Sequence, residues 1–596
     1  MSQTATLPNW NLDVYFPGLD SPELEAAIDG YRNRLKELED WFDAKGIGKR
    51  EPAELNDELV ALFEDTIGRF NTLMDEARVL YAYVHGSTDV DSRNERAQAR
   101  ESEVDAESPR MSKLRVRLTA WIGTLPVEDL IVASKVAHAH AFPLRKAAKL
   151  AAKLMTPPEE ALAAELSLTG STAWGKLHGN MTSQLEVDVE LPDGVRTLPM
   201  SAVRNLAYDA DRAVRRSAYE AEIAAWKKVE VPLAAAMNSI KGEADTLARK
   251  RGWGSCLEEA TFGAHIDAEA LDAMLAAARD SFPVFRRYMR AKAKALGIDR
   301  MAWYDIFAPV GGDREWSYPD AEAFIVENFR TYSEKMAAFA ERTFAERWID
   351  APPKPGKRDG AYCMGTRRDE SRILMNFKPA FGSVSTLAHE LGHAYHNLCL
   401  AERTPLQRGT PMTLAETASI FCETIVRKAA LKTASPQERI GILEGSLQGV
   451  CQVVVDITSR FEFESEVFER RAKRELSARE LCEIMVEAQK NTYGDGLDPD
   501  ALHPYMWAVK PHYYGRGFYN FPYMFGLLFA LGLYAIFESD PDTFRQSYDD
   551  LLSSTGLADA ATLAAAYGID IRSKAFWAGS LNVIAEDVAE FERLVG

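Results

Sequence analysis

The sequence predicts a mainly α-helical fold that is divided into more than one lobe. Most of the chain is rich in Ala, Leu, Glu, Arg and Lys, with apolar residues at the three- and four-residue spacing of an amphipathic helix. With 596 residues, the chain is too long for one ordinary hydrophobic core. A hydrophobic content of 46% beside 27% charged residues is typical of a globular protein.

Helical periodicity is clearest in five segments, whose polar faces are expected to be solvated. They are Glu23–Phe42, Glu54–Tyr83, Ala202–Ala225, Ala268–Leu296 and Leu443–Arg474. A sixth segment, Gly517–Phe537, carries no formal charge and is long enough to span a bilayer. Asn520 and Pro522 interrupt it and it stands alone, so we interpret it as a buried core helix.

Two short β-hairpins are predicted between the helices. Alternating residues from Leu185 lead into a Pro-Asp-Gly turn, which indicates a hairpin and a boundary between an N-terminal region, 1–195, and the remainder, 196–596. An irregular connection, 351–360, then leads to two short apolar runs at 361–366 and 372–377. This second hairpin is either purely structural or offers Ile373–Asn376 as an edge strand that pairs with an extended peptide.

Charge, cysteines and the N-terminus limit the classes of function. The balance of 70 Lys and Arg against 89 Asp and Glu gives a net charge of −19, which argues against a general nucleic-acid binder. The six scattered cysteines form no Cys-x-x-Cys pair, so we expect mostly buried free thiols in a reducing compartment. The first residues show neither a basic start nor an apolar run, so a cytoplasmic protein without a membrane partner is expected.

The run His-Glu-Leu-Gly-His at 389–393 carries the clearest chemistry. Histidines at positions i and i+4 lie one turn apart on one helix face, so both imidazoles can bind one metal ion while Glu390 reaches a water. His389, His393 and His396 fall opposite an apolar stripe on the helical projection. The pattern predicts a zinc peptidase; the alternative is an ordinary helix with surface or core histidines.

The third zinc ligand distinguishes the classes of zinc peptidase. A metzincin would need Gly at 396 and His at 399, but the chain has His396 and Cys399. The other source is a glutamate from the next helix, which offers Glu416 and Glu423, two turns apart on one face. Spacing favours Glu416 over Glu423 as the third ligand. A third alternative is that neither glutamate binds the metal, because Thr413 and Glu416 also fit a capping box.

Two segments carry a family resemblance. Thr-Leu-Ala-His-Glu-Leu-Gly-His-Ala-Tyr-His at 386–396 and Ala-Glu-Thr-Ala-Ser-Ile-Phe-Cys-Glu at 415–423 resemble the thimet oligopeptidase and oligoendopeptidase F family of zinc metallopeptidases. Weaker matches occur at 360–363, at 373–376 and in the Trp-Asn-Leu-Asp-Val-Tyr run from Trp10. The resemblance therefore covers nearly the whole chain, and its most specific part is 360–423.

The resemblance implies roles for several of these residues. Glu416 becomes the third ligand of one Zn²⁺ ion, and Glu423 holds a ligand histidine in its tautomer. His396 also matches a family position beside the site. The implied fold is a two-lobed helical metallopeptidase with a deep channel, in which the N-terminal region covers the cleft and the hairpin lies beside the zinc helix. The candidate substrate-binding residues are Gly360, Ala361, Tyr362 and Asn376.

The family also has a His and Tyr cluster near its C-terminus, and the candidate here is Pro511–Tyr523. Its role would be to donate hydrogen bonds to the substrate carbonyl oxygen as negative charge develops. His512 and Tyr523 are the first candidates and Tyr519 the next, with Tyr513 and Tyr514 unresolved; any single tyrosine could instead be a core aromatic. The chain departs from the family pattern at 515–517, which adds a residue, and at Phe521, where Tyr is common.

These observations predict a zinc-dependent oligoendopeptidase that cuts short peptides internally. Zinc would polarise the scissile carbonyl and lower the pKa of a water. Glu390 would take the proton of that water and pass it to the leaving amine. One rival is a zinc carboxypeptidase, which needs a group for the terminal carboxylate, such as Arg516. The other is a peptide-binding protein without catalysis. The oligomeric state is not predicted.

Overall fold

The computed structural model describes residues 7–515 and 517–596, and it is mainly helical, as predicted. Buried residues from Leu24 to Leu144 form one hydrophobic core in the N-terminal region. Local signals set the helix ends; for example, the side chains of Ser21 and Asn56 accept backbone N–H groups at the starts of the first two helices. These helices are α1 (Pro22–Lys45), α2 (Asp57–Val90), α3 (Glu95–Asp105), α4 (Ser108–Ile122), α5 (Val127–Ala133), α6 (Lys135–Ala139), α7 (Ala141–Ala152), α8 (Pro157–Thr169) and α9 (Ser171–Ser183).

The first predicted hairpin is confirmed, because β1 (Glu186–Leu191) and β2 (Gly194–Pro199) pair antiparallel. The predicted helix Ala202–Ala225 is wrong in its middle. The chain breaks near Asp209, and the Asp211 side chain then caps a new helix by accepting the N–H of Ala213. The elements that follow are α10 (Met200–Asn205), α11 (Arg212–Lys250), α12 (Cys256–Gly263), α13 (Ala268–Ala295), α14 (Tyr318–Tyr332) and α15 (Glu334–Ala345).

The second predicted hairpin is present within a three-stranded sheet. β4 (Tyr362–Gly365) pairs antiparallel with β5 (Ser371–Leu374), and β5 also pairs parallel with β3 (Ile349–Asp350). The prediction of Ile373–Asn376 as an edge strand is therefore wrong. The strand order is β3-β5-β4, so β5 is central and buried, and β4 is the outer strand. A two-residue strand such as β3 has no recognisable pattern in the sequence.

The chain after this sheet is again helical. α19 and α20 run into each other through a π-helical segment, Gln452–Asp456, so the predicted helix over Leu443–Arg474 is confirmed apart from this segment and its last residues. The helices are α16 (Phe381–Cys399), α17 (Met412–Ala415), α18 (Thr417–Thr433), α19 (Pro436–Cys451), α20 (Ile457–Arg471), α21 (Ala478–Tyr493), α22 (Met506–Val509), α23 (Phe521–Ser539), α24 (Pro541–Ser553), α25 (Ala560–Ala566) and α26 (Lys574–Val595).

A second and larger core extends from Val187 to Phe591. Two helical stretches in the described chain, Pro436–Arg471 and α23, are long and apolar enough to cross a membrane. In α23, however, 72% of the most apolar window is buried inside the protein, as expected for the predicted core helix. All six cysteines are free; three are buried and three are half-buried.

Candidate metal centre and active site

Close packing of α16 and α18 brings the candidate metal ligands together. A Cβ atom on Gly392 would lie only 2.5 Å from the carbonyl oxygen of Ala418. The residue between the two histidines must therefore be glycine for α18 to approach this closely. A similar contact occurs behind Glu416, because a Cβ on Gly526 of α23 would lie 2.9 Å from its Cβ. Glu416 is thus wedged between α16 and α23.

Glu416 itself lies at the junction of α17 and α18, with φ −87° and ψ 4°. The capping-box alternative for this residue is wrong. Pro411 is the N-cap residue of α17, and the Thr413 hydroxyl donates to the carbonyl of Ala264 at 2.6 Å. The Glu416 side chain is consequently available to the face of α16 that carries the histidines.

The donor atoms of His389, His393 and Glu416 all lie within 4.8 Å of one another. Glu416 Oε2 is 3.2 Å from His389 Nε2 and 3.4 Å from His393 Nε2. A tetrahedral zinc ion with bonds of about 2.0–2.1 Å separates its ligands by about 3.3 Å. Two imidazoles and one carboxylate are also a donor set that catalytic zinc takes. The three residues therefore fit a zinc ion.

Further hydrogen bonds orient these ligands. His389 Nδ1 lies 3.1 Å from Glu423 Oε2, so a proton on Nδ1 leaves Nε2 to face the ligand cluster. Ser385 donates to the other oxygen of Glu423 at 2.9 Å, and Ser419 donates to Glu416 Oε2 at 2.7 Å. Neither serine is among the site residues predicted from the sequence. Their positions, one helical turn from His389 and from Glu416, are the signal that would have identified them.

His396 occupies a different environment from the other two histidines of α16. It is buried, and its Nε2 lies 3.0 Å from Thr555 Oγ1 and 3.1 Å from the carbonyl oxygen of Leu552. These contacts hold α16 against the end of α24. The structure therefore places His396 behind the ligand cluster, without a hydrogen bond to either ligand histidine or to Glu416.

Glu390 is buried, with 5% of its surface exposed, and its Oε2 has no hydrogen-bond partner among residues 7–515 and 517–596. Burial raises the pKa of this carboxyl group to about 7. The outer strand β4 lies close by: burial raises the pKa of the Cys363 thiol, and the negative charge of Glu390 adds to that effect. The hairpin thus lies beside α16, as the resemblance implied.

The two candidate ligand histidines have opposite electrostatic environments. Burial disfavours a charge on His389, but its contacts with Glu416 and Glu423 raise its pKa to about 10. Burial lowers the pKa of His393 to about 4. Burial would raise the pKa of Glu416, but the two histidines hold it at about 2. An anionic Glu416 between imidazoles is suited to a cation at this point.

The candidate oxyanion residues come together at the start of α23. The rings of His512 and Tyr519 stack with 5.0 Å between their centroids, and the hydroxyl of Tyr523 donates to that of Tyr519 at 3.1 Å. Tyr523 lines the same cavity as His389 and Glu416. Burial lowers the pKa of His512, as do nearby cationic side chains. The structure therefore brings Tyr523 to the candidate metal centre.

Tyr513 and Tyr514 belong to the core instead. Both are buried, and neither hydroxyl has a hydrogen-bond partner within the described parts of the chain. Tyr514 stacks on His178 of α9 at a centroid distance of 3.7 Å. Arg516, considered above for a terminal carboxylate, lies outside the described residues.

The candidate substrate-binding residues surround β4. The Asn376 amide donates to the carbonyls of Arg358 and Gly360 at 3.0 and 3.1 Å, so its side chain shapes the turn before β4. The Tyr362 hydroxyl donates to Asp89 of α2 at 2.7 Å, which ties the hairpin to the N-terminal region. Gly360 and Ala361 lie immediately before the outer strand.

Fold and site together are those of a helical metallopeptidase, with two histidines of one helix and a glutamate of the next as candidate metal ligands. The sequence profile of peptidase family M3 matches residues 205–583. The chain therefore belongs to this family.

Individual proteins are also similar to this chain, in sequence or in fold. Group B oligopeptidase PepB of Streptococcus agalactiae is 27% identical over 398 residues, which cover 66% of this chain and 66% of that protein. The match therefore spans about two thirds of that relative's length. A crystal structure of a chain from Chlamydophila abortus has a TM-score of 0.83 at 19% identity and covers 98% of each chain. Oligoendopeptidase-F of Enterococcus faecium gives 0.69 at 19% identity, over 96% of this chain and 99% of the other.

Proposed function

We propose that this chain is a zinc-dependent oligoendopeptidase that hydrolyses internal bonds of short peptides. The observation that carries the proposal is the convergence of His389, His393 and Glu416 beside the buried carboxylate of Glu390. This arrangement supplies a metal-ligand set and a proton acceptor in one place. Family membership and the similarity to PepB, an oligopeptidase, support the substrate class.

In the proposed mechanism, His389, His393 and Glu416 would hold one zinc ion, and a bound zinc ion would polarise the scissile carbonyl and lower the pKa of a water molecule. Glu390 accepts the proton of the attacking water and then delivers it to the leaving amine. Its Oε2 has no hydrogen-bond partner among the described residues, so it is free for this transfer. Glu423 keeps the His389 ring in one tautomer by accepting from Nδ1.

Charge on the substrate oxygen is stabilised from the other side of the site. Tyr523 lines the shared cavity, its hydroxyl donates to that of Tyr519, and the Tyr519 ring stacks on His512. Donors that are already in place for a developing negative charge stabilise the transition state more than the ground state. We assign this role to Tyr523 first, with Tyr519 and His512 in support.

The test of the mechanism is Glu390→Gln, which keeps the side-chain shape and removes the proton acceptor. The variant should bind one zinc per chain, because Glu390 is not a ligand, and should lose nearly all turnover. Metal content is measured by elemental analysis, and cleavage by mass spectrometry of peptide products. Near-normal turnover in this variant would rule out the mechanism as written.

The N-terminal region, 1–195, is proposed to cover the cleft and admit only short chains. Tyr362 on β4 bonds to Asp89 of α2, and Arg358 pairs with the same aspartate, so this region contacts the hairpin beside α16. A covered cleft with β4 as its outer strand suits an extended peptide whose backbone pairs with that strand.

Access through such a cleft depends on substrate length. Peptides of roughly five to twenty residues should be cut readily, whereas the same site in a folded protein should be cut very slowly, because folded chains cannot enter a covered cleft. The measurement is kcat/KM over a length series built on one cleavage site, with that site also placed in an exposed loop of a folded protein. Equal rates for the folded and short substrates would contradict a covered cleft.

A further inference from the structure

A cavity of about 340 Å³ adjoins the candidate metal centre. Its walls include His389, Glu416 and Tyr523, so whatever occupies it lies beside the reacting bond. Three helices contribute the remaining wall: α18, the continuous α19–α20 helix, and α23. Their apolar and glycine lining residues are Ile420, Gly445, Gly449, Val450, Val453, Leu527 and Leu531.

The available surface of this cavity is mainly apolar. Ile420, Val450 and Val453 are only partly buried, although they pack on the large core, so part of each faces the cavity. Besides the residues of the candidate metal centre, three polar side chains line the wall: Thr424, Arg427 and Ser446. The first two are already engaged. The Thr424 hydroxyl donates to the carbonyl of Ile420 at 2.7 Å, and Arg427 forms a buried ion pair with Asp587. A pocket with such a lining binds an apolar group.

Glycine at position 449 keeps the cavity open. A Cβ atom on Gly449 would meet no atom within 4 Å, although the residue lies inside α19, where glycine is less favourable than alanine. Gly441 in the same helix is different. A Cβ atom there would lie 2.3 Å from the carbonyl oxygen of Gly312, so close packing requires glycine at that position. No such contact explains Gly449, whose missing side chain leaves space in the cavity.

The helix that carries Gly449 also changes its winding at the cavity. Val453 belongs to the π-helical segment Gln452–Asp456, and π-helical turns inside α-helices are frequent at functional sites. Asp456, at the end of this segment, pairs with Arg460, which donates to the Asn520 side chain at 3.3 Å. Asn520 directly follows Tyr519, so the cavity wall is joined to the segment that carries Tyr519 and Tyr523, here called the tyrosine segment.

We infer that this cavity is the specificity pocket of the proposed peptidase, and that it receives one large apolar side chain, such as Phe or Leu, from a residue flanking the scissile bond. The inference rests on the proposed function. It also assigns to Gly449 the role of leaving room for that side chain, with Ile420, Val450 and Val453 as its apolar contacts.

The first experiment uses the zinc-loaded full-length protein and a series of peptides that differ at one position flanking the cleaved bond. Products identified by mass spectrometry show which flanking position carries the preference. Phe and Leu substrates should exceed Ala, Asp and Lys substrates in kcat/KM at one of the two positions, by tenfold or more, because an apolar pocket rejects charge and leaves space unfilled by Ala.

The second experiment fills the pocket with Gly449→Leu. The kcat/KM for the Phe substrate should fall on the order of a hundredfold, while that for the Ala substrate changes little. Gly449→Ala, a smaller change that suits a helix, should reduce the preference for Phe over Leu. Gly68→Leu is the matched control: Gly68 is also an exposed glycine within a helix with no atom near its Cβ, but it lies in α2, so the preference should be unchanged.

A binding measurement separates this inference from the proposed function. In the Glu390→Gln background, calorimetry should show tighter binding of the Phe peptide than of the Ala peptide, and Gly449→Leu should remove that difference. Binding preference without cleavage by the native protein would reject the peptidase and retain the pocket. Equal kcat/KM and equal affinity for all peptides, or a uniform loss for Phe and Ala substrates in Gly449→Leu, would overturn the pocket.

Discussion

The metal centre and the tyrosine segment are adjacent, but they are held in different ways. Two of the three candidate ligands at the α16–α18 contact have a further partner: Glu423 for His389, and Ser419 for Glu416. Tyr519 is 42% exposed, and its hydroxyl is bonded only to that of Tyr523 among the described residues. The candidate metal site is therefore arranged without substrate, whereas the tyrosine hydroxyls retain hydrogen-bonding capacity that the proposed mechanism assigns to a substrate oxygen.

The largest effect on activity is expected from Glu416→Ala, which removes a proposed ligand from the candidate metal centre. The variant should lose its zinc and, with it, activity, because two imidazoles alone hold the ion much more weakly. Glu423→Ala is the comparison: loss of an outer partner should weaken zinc binding by about 10–100-fold and still allow loading at high zinc. Elemental analysis after dialysis distinguishes them. If Glu416→Ala retains zinc and Glu423→Ala loses it, Glu423 is the ligand and Glu416 the outer partner.

Tyr523→Phe tests the tyrosine segment and should have the next largest effect on activity. Loss of one oxyanion donor is expected to cost on the order of a hundredfold in kcat, with zinc content unchanged. Tyr514→Phe is the control, because it removes a hydroxyl that is buried in the core and has no partner in the described chain. Steady-state kinetics on one peptide decide the matter. If both variants retain native kcat, Tyr523 is a structural residue.

The smallest effect is expected from Ser419→Ala, which removes the hydroxyl that donates to Glu416 Oε2. Zinc affinity should fall by about tenfold, at the lower end for an outer partner, because Glu416 remains but is less firmly oriented. Competition against a chelator measures the change. Thr433→Ala removes a hydroxyl at the far end of α18 and should leave the affinity unchanged. Equal affinities in the two variants would remove Ser419 from the site.

The candidate metal centre also shows which features could be predicted from the sequence and which could not. His389 and His393 are one helical turn apart, so their convergence follows from helix geometry alone. Glu416 was favoured by spacing and by family resemblance, although its place at a helix junction, outside regular periodicity, could not be predicted. Gly392 was part of the motif, but its close contact with Ala418 depends on the packing of two helices.

The remaining features that the sequence did not predict depend on tertiary structure. Tyr513, Tyr514 and Tyr523 have the same side chain, and only the packing of the chain determines that the first two are buried. The position of β5 at the centre of its sheet depends on β3, whose two residues carry no pattern. Burial and strand order are set by contacts between distant segments, and periodicity within one segment does not contain that information.

The close contact of α16 and α18 at Gly392 has a consequence for thermal stability, because the proposed metal ion would bind between these two helices. The proposed ligands lie in α16 and at the start of α18, so an ion held by both would join two helices that separate on unfolding. A ligand that binds only the folded chain at a hundred times its Kd adds about 2.7 kcal/mol to the free energy of unfolding. The midpoint of thermal unfolding should therefore rise and fall with free zinc, and the protein in a zinc-poor medium would be less resistant to heat and to proteolysis.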